Sequence, residues 1–154
     1  MVLIAGDLTF EPLPEQRLKE LFAPLHDLQV PVYAVLGNHD TEHPGPDIKV
    51  ELMRALEANN VTILNNDIIK TSNFLLVGLG DRMNGEDSTR LLNEVHPVNK
   101  VVVLTHNPDT TMDYINTNAD VTLAGHTHCG QVRLPWIHEY IKKYIIPVEG
   151  DFDK

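Results

Sequence analysis

The sequence is poor in cysteine, in basic residues and in long hydrophobic segments. Its single cysteine, Cys129, excludes an internal disulfide. No apolar run approaches the roughly 18 residues that a membrane-spanning helix requires. Lysine and arginine number 12 against 22 aspartates and glutamates, which leaves a formal charge of -10. This charge argues against nonspecific binding to nucleic acid or to an anionic membrane surface.

The rest of the composition is that of a folded domain. Hydrophobic residues make up 42% and charged residues 22% of the chain, which is ordinary for a globular protein. The length predicts one domain, assigned here to residues 1–154. Apolar runs typical of buried strands alternate with segments of helical periodicity, which predicts an α/β fold. Among these runs, residues 61–64 and 74–79 predict strands joined by a hairpin or by a short polar connection.

Helices are predicted between these strands. Residues 14–28 place apolar side chains at spacings of three and four, and Pro24 is expected to interrupt that helix. Asp47 is expected to cap a second helix. Asp109 is expected to cap a third, short helix over residues 111–116.

Four apolar runs share one feature, which is that each ends in side chains able to bind a metal. Residues 2–5 precede Gly6-Asp7, residues 32–36 precede Gly37-Asn38-His39-Asp40, residues 101–104 precede Thr105-His106, and residues 121–124 precede Gly125-His126-Thr127-His128. Open α/β sheets bind ligands at the carboxyl ends of their strands. Carboxylate, amide and imidazole groups bind hard to borderline divalent cations. We therefore expect one metal cluster at the top of one sheet.

These four motifs, in this order, resemble motifs two to five of the calcineurin-like metallophosphoesterases. The run from Gly125 to Pro135 is similar to the YkuE-like bacterial phosphohydrolase subgroup. Together the motifs extend over residues 6–135. The resemblance implies an α/β sandwich of two stacked mixed sheets flanked by helices, incomplete in this chain. It also implies hydrolysis of a phosphomonoester, phosphodiester or pyrophosphate by metal-bound hydroxide.

The resemblance also implies a role for each motif residue. Asp7 matches a carboxylate that bridges two divalent cations, with manganese, iron or zinc as the candidates. His128 matches a ligand of the first cation. His39 matches a general acid that binds no metal, and Asp40 matches the carboxylate that orients it. The remaining matches are ligands of the second cation, namely Asn38, His106 and His126.

One family motif has no counterpart in this sequence. The family begins with Asp-x-His at the end of its first strand, and this chain has no residues at that position. Asp7 and His128 alone then remain for the first cation, so we expect a weak or empty first site and a retained second site. The chain resembles a fragment cut at both ends, and missing edge strands would favour self-association.

Two loops supply further candidates for substrate binding. His43 follows the motif that ends at Asp40, in a turn-rich loop. Asp81-Arg82 follows a predicted strand, and Arg82 could contact a substrate phosphate, although a solvated turn is an equal alternative. The predicted partner is therefore a phosphoester, with no nucleic acid and no membrane span expected.

Three classes of function stay open. The first is a metal-dependent phosphoesterase, which the intact Gly37-Asn38-His39-Asp40 motif favours. The second is a scaffold of the same fold, or an inactive fragment, that binds one metal or none. The missing first motif favours this second class. The third is a nuclease, which the charge of -10 disfavours.

Overall fold

The structure is a computed structural model that describes residues 1–41, 46–96 and 98–128. Within these residues the strands are β1 (Val2–Ala5), β2 (Val32–Val35), β3 (Val61–Ile63), β4 (Asp67–Lys70), β5 (Leu75–Gly78), β6 (Val101–Leu104) and β7 (Val121–Leu123). The α-helices are α1 (Glu15–His26), α2 (Lys49–Glu57) and α3 (Leu91–Glu94), and two 3-10 helices cover Asn38–Asp40 and Pro108–Asp113.

The strands form two separate sheets. In the first, β1, β2 and β3 are parallel and β2 is central. In the second, β4 pairs antiparallel with β5, while β5, β6 and β7 are parallel. The predicted strands 61–64 and 74–79 correspond to β3 and β5, but the predicted connection between them is wrong, because it contains a further strand, β4. The hairpin is formed by β4 and β5, while β3 belongs to the first sheet. Of the described sheets only the second is mixed. The expectation of one sheet under the metal cluster is wrong, because β1 and β2 belong to one sheet while β6 and β7 belong to the other.

The layers follow from the two-residue period of the strands. In β2, Val32 and Ala34 face α1 and α2, whereas Val35 faces the second sheet. Because both faces are covered, the strands are nearly continuous apolar runs. A central cluster joins the two sheets through Val35, Leu64, Leu76 and Leu104. A third cluster lies on the far face of the second sheet and includes Leu92 of α3 and Tyr114.

The helix ends differ in part from the predictions. Pro24 does not interrupt α1, because it lies in the last turn, where its missing N–H removes a single bond. The N-cap of α2 is Ile48, so the cap predicted at Asp47 is displaced by one residue, although the Asp47 Oδ1 accepts a hydrogen bond from the Lys49 N–H at 2.9 Å. The cap assigned to Asp109 is wrong. Asn107 is the N-cap of the 3-10 helix that starts at Pro108, and its Oδ1 accepts from the Asp109 N–H at 2.8 Å.

Among the described residues, no helix combines the length and the apolar character that crossing a membrane would require.

Candidate metal centre

Four of the predicted ligands meet where the carboxyl ends of the two sheets come together. The His106 Nε2 atom lies 3.2 Å from Asp7 Oδ2 and 3.0 Å from Asn38 Oδ1. The His126 Nδ1 atom lies 3.0 Å from the same Asn38 oxygen and 3.2 Å from His106 Nε2. The donor atoms of Asp7, His106 and His126 all lie within 4.8 Å of one another. Two side chains come from each sheet, so the cluster bridges the sandwich.

The chemistry of this cluster fits a divalent cation. His106 donates its Nδ1–H to the Ala5 carbonyl at 2.7 Å, which leaves a lone pair on Nε2. That lone pair then faces a carboxylate oxygen, an amide oxygen and a second imidazole nitrogen. Such a group of acceptors needs a proton or a cation between its members. A histidine whose second nitrogen is hydrogen-bonded to a carbonyl is also the usual form of a metal ligand.

Burial and neighbouring charge act in opposite directions on these groups. Burial lowers the pKa of His106, but the hydrogen bonds to Asp7 and to the Ala5 carbonyl outweigh it and raise this pKa overall. Burial raises the pKa of Asp7, but its bond to His106 and the His39 N–H lower it overall. Burial and the charge of His106 both lower the pKa of His126. The bond between Asp7 and His106 thus shifts the pKa values of these two groups in opposite directions, while the surroundings of His126 lower its pKa.

The backbone at the cluster is strained. Asp7, His126 and His128 have φ angles of 54°, 66° and 51°, in the left-handed region that non-glycine residues rarely adopt. The other non-glycine residues of this kind in the described chain are Asn60 and Asn66, and asparagine tolerates the region. Strain is thus concentrated at predicted metal ligands, as is common at functional sites.

Two glycines allow the loops to approach this closely. Gly6 has a φ of 82°, and a methyl group there would overlap His106 Nδ1 and the backbone of Gly37. A methyl group at Gly37 would overlap Asp7 and the His106 ring. Gly6 and Gly37 are therefore required because the loops after β1 and β2 lie in contact with each other and with the imidazole of His106.

Asp40 holds these loops together. It is fully buried, and its Oδ2 accepts from the backbone N–H groups of Asp7 and Gly37, each at 2.9 Å. Its Oδ1 accepts from the N–H groups of Leu8 at 2.9 Å and Thr9 at 3.4 Å. The expected contact with His39 is not made, because these backbone donors occupy the carboxylate. Asp40 therefore positions Asp7 and does not orient the histidine.

His39 lies beside the cluster and outside it. Its backbone N–H donates to Asp7 Oδ1 at 3.0 Å. Its ring is half-buried, and Nδ1 is shielded from solvent without a hydrogen-bond partner. The ring centroid lies 4.9 Å from that of Phe10, a residue that sequence reasoning missed and that no sequence signal marks. The imidazole is thus held by packing and keeps its polar atoms free of protein hydrogen bonds.

The other predicted residues are less close to the cluster. His128 is exposed, and its imidazole is not part of the group formed by Asp7, His106 and His126. The Arg82 guanidinium forms ion pairs with Asp87, at 3.1 Å, and with Asp113. His43 lies outside the described residues.

Asp81 differs most from its expected environment. It is 2% exposed, so the turn it begins is not solvated at this side chain. A Gly-Asp pair occurs after β5 as well as after β1: Gly6-Asp7 follows β1 directly, and Gly80-Asp81 follows β5 after one residue, Leu79. That repetition is the sequence signal that could have identified it.

Comparison with known proteins places these features in a family. The model of the calcineurin-like phosphoesterases matches residues 1–130. Phosphodiesterase YaeI of Escherichia coli K12 is 32% identical over 145 residues, which cover 90% of this chain and 52% of YaeI. The uncharacterized metallophosphoesterase YkuE of Bacillus subtilis 168 is 26% identical over 144 residues, which cover 88% of this chain and 49% of YkuE. The latter match agrees with the predicted subgroup.

Two further matches are a curated pyrophosphatase and a solved crystal structure. UDP-2,3-diacylglucosamine pyrophosphatase LpxG of Chlamydia muridarum is 28% identical over 127 residues, which cover 80% of this chain and 39% of LpxG. A solved crystal structure that is 15% identical matches with a TM-score of 0.51 over 73% of this chain and 57% of that one, which supports the fold alone. The chain spans about half the length, or less, of the curated relatives it matches.

Proposed function

The chain belongs to the calcineurin-like phosphoesterases, a family of metal-dependent hydrolases, and we propose that it hydrolyses a phosphodiester, a phosphomonoester or a pyrophosphate. The observation that carries this proposal is the meeting of four potential ligand atoms from two sheets, in which His106 Nε2 lies within 3.2 Å of each of the other three. Close glycine contacts and the buried carboxylate of Asp40 maintain that arrangement against the backbone strain at its ligands.

Asp7, Asn38, His106 and His126 would hold the cation, with manganese, iron or zinc as the candidates. A divalent cation would offset the negative charge of a phosphoryl oxygen and would lower the pKa of a coordinated water. The chain prepares for this by fixing each ligand: the Ala5 carbonyl orients His106, and the His39 N–H orients Asp7. Since His128 stays outside the group, we propose one firmly held cation in this chain and a weak first site.

His39 would serve as the general acid. A histidine can transfer a proton near neutral pH, and proton donation to a poor leaving group contributes substantially to hydrolysis. The ring lies next to Asp7, so a phosphoryl group at the cluster would have its leaving oxygen within reach of this side of the site. The buried Nδ1 has no protein partner that would compete for the proton.

The proposed substrate class is argued from the names of two relatives. One relative is named a phosphodiesterase and another a pyrophosphatase. Both names describe enzymes that cleave a phosphorus–oxygen bond in a phosphate group that links two substituents. We therefore place a phosphodiester or pyrophosphate ahead of a phosphomonoester. The formal charge of -10 makes a nucleic acid an unfavourable substrate.

The test is metal content measured together with hydrolysis. The chain is reconstituted with Mn²⁺, dialysed and analysed for bound metal, and then assayed on bis-p-nitrophenyl phosphate and p-nitrophenyl phosphate. We expect about one equivalent of metal and faster turnover of the diester. The variant His126→Asn provides the matched control, since it removes one ligand from the exposed side. Stable metal binding without hydrolysis of either ester would contradict the proposal and favour the scaffold.

A further inference from the structure

Asp81 lies beside the cluster on the neighbouring strand of the second sheet. β5 and β6 are parallel, Gly78 pairs with Leu104, and the Leu79 N–H donates to the Leu104 carbonyl at 2.9 Å. The same register carried forward sets Gly80 opposite His106. Asp81 therefore follows at the level of the metal ligands, at the same carboxyl edge.

The Asp81 carboxylate has no hydrogen-bond partner. Both of its oxygen atoms are shielded from solvent, and it is the one described carboxylate for which both oxygens are buried and unpaired. The N–H groups of Met83 and Asn84 lie near it without the geometry of a hydrogen bond, and they only partly offset the effect of burial on its charge. Burial of an ionised carboxylate without a partner is strongly unfavourable. A compensating group is therefore missing from the protein itself.

The neighbouring cations of the protein are bound to other carboxylates. Lys49 donates to both oxygens of Glu86, at 2.7 and 2.9 Å. Arg82 is held by Asp87 and Asp113. The charged groups that do act on Asp81 are His106 and Asp7, which both belong to the cluster. Apart from the N–H groups of Met83 and Asn84, the groups that act on the charge of Asp81 thus belong to the cluster.

The charge of a bound cation supplies a reason for this arrangement. Of the four ligands only Asp7 carries a formal charge, so a divalent cation would leave the site with a net positive charge. Asp109, 6% exposed, is near enough to His126 for its charge to act on that imidazole. Asp81 adds a negative charge from the His106 side. A negative charge close to the ligand set would offset part of the charge of the cation through the Coulomb interaction.

We propose that Asp81 is a positioning residue whose buried carboxylate stabilises the divalent cation from outside the set of direct ligands. The inference rests on the proposed function, because it requires that the cluster bind a cation. It goes further in assigning a role to a residue that no ligand motif includes. The buried charge would then be unfavourable in the metal-free protein and favourable in the metal-bound one.

The experiment compares wild-type protein, Asp81→Asn and Asp87→Asn by calorimetric titration with Mn²⁺. Asp87→Asn removes the same charge from the same loop, while Arg82 keeps its pair with Asp113. We expect Mn²⁺ affinity to fall about tenfold in Asp81→Asn and less than about twofold in Asp87→Asn. The melting temperature of metal-free Asp81→Asn should equal or exceed that of wild type, since a buried charge is removed.

The outcomes separate the inference from the proposed function. Equal Mn²⁺ affinities of Asp81→Asn and wild type would overturn the inference but not the proposed function. Equal losses in Asp81→Asn and Asp87→Asn would also overturn it, since only overall charge would then matter. A lower melting temperature of metal-free Asp81→Asn would show Asp81 to be a structural cap of its turn. Absence of Mn²⁺ binding in wild type would refute the proposed function, and the inference with it.

Discussion

The cluster and the rim around it are built differently, although they lie at the same edge of the sheets. The cluster comprises Asp7, Asn38, His106 and His126, and the rim comprises Phe10 and His128. The cluster residues follow directly from strands, and His106 is only 1% exposed. The rim residues lie on loops or at the surface: Phe10 is 68% exposed and His128 is also exposed. The difference indicates that strand register determines the position of the cluster, whereas the position of the rim depends on loops and surface residues.

The largest expected effect is loss of the one charged ligand. Asp7→Asn should reduce bound Mn²⁺ to less than about a tenth of the wild-type content, because the cluster then contains no carboxylate. Metal analysis after dialysis measures this directly. Asp27→Asn, on the surface after α1, is the control and should retain the full content. Unchanged metal in Asp7→Asn would show that the cation binds elsewhere.

The next effect concerns the proton donor. His39→Ala should slow hydrolysis of an alkyl phosphodiester by about 10²-fold or more, and that of a p-nitrophenyl ester far less, because p-nitrophenolate leaves without a proton. Phe10→Leu removes the ring contact while keeping the histidine, and should change both rates only slightly. Equal losses of His39→Ala on both esters would exclude the general-acid role.

A third effect separates stability from chemistry. Asp40→Asn should lower the free energy of unfolding by about 3 kcal/mol, because an amide NH₂ would face buried N–H donors that the carboxylate now satisfies. Urea denaturation of the metal-free protein measures the change. Asp47→Asn should shift stability by less than about 0.5 kcal/mol, since asparagine also caps helices. Similar losses in the two variants would mean that the buried contacts of Asp40 contribute little.

The smallest effect tests the close approach of the loops. Gly37→Ala should destabilise the fold by roughly 1 to 3 kcal/mol and weaken Mn²⁺ binding, because the methyl group meets Asp7 and His106. At Gly85, with a φ of 67° and open space around it, alanine should cost about 1 kcal/mol of backbone strain and leave Mn²⁺ affinity unchanged. Full metal affinity in Gly37→Ala would show that the loops have room to move apart.

Some of the site could be predicted because it depends on local patterns. Asp7, Asn38, His106 and His126 each follow an apolar run, and carboxyl ends of parallel strands lie at one edge. The structure does bring these side chains together. The partners of Asp40 could not be predicted in this way, since they include backbone N–H groups more than 30 residues away in the sequence. The ion pair of Arg82 with Asp113 could not be predicted for the same reason, because it joins the loop after β5 to the 3-10 helix that ends at Asp113.

The sequence by itself determined the alternation of strands and helices, the hydrogen bond of Asp47 to the first turn of α2 and which residue types stand at each strand end. These features depend on neighbours within a few positions, where periodicity and side-chain chemistry act directly. Only the tertiary structure decided that the ligands come from two sheets, that Asp40 binds backbone amides and that Asp81 is buried beside His106. Those outcomes depend on packing between distant segments, where the central cluster of Val35, Leu64, Leu76 and Leu104 sets the distance between the sheets.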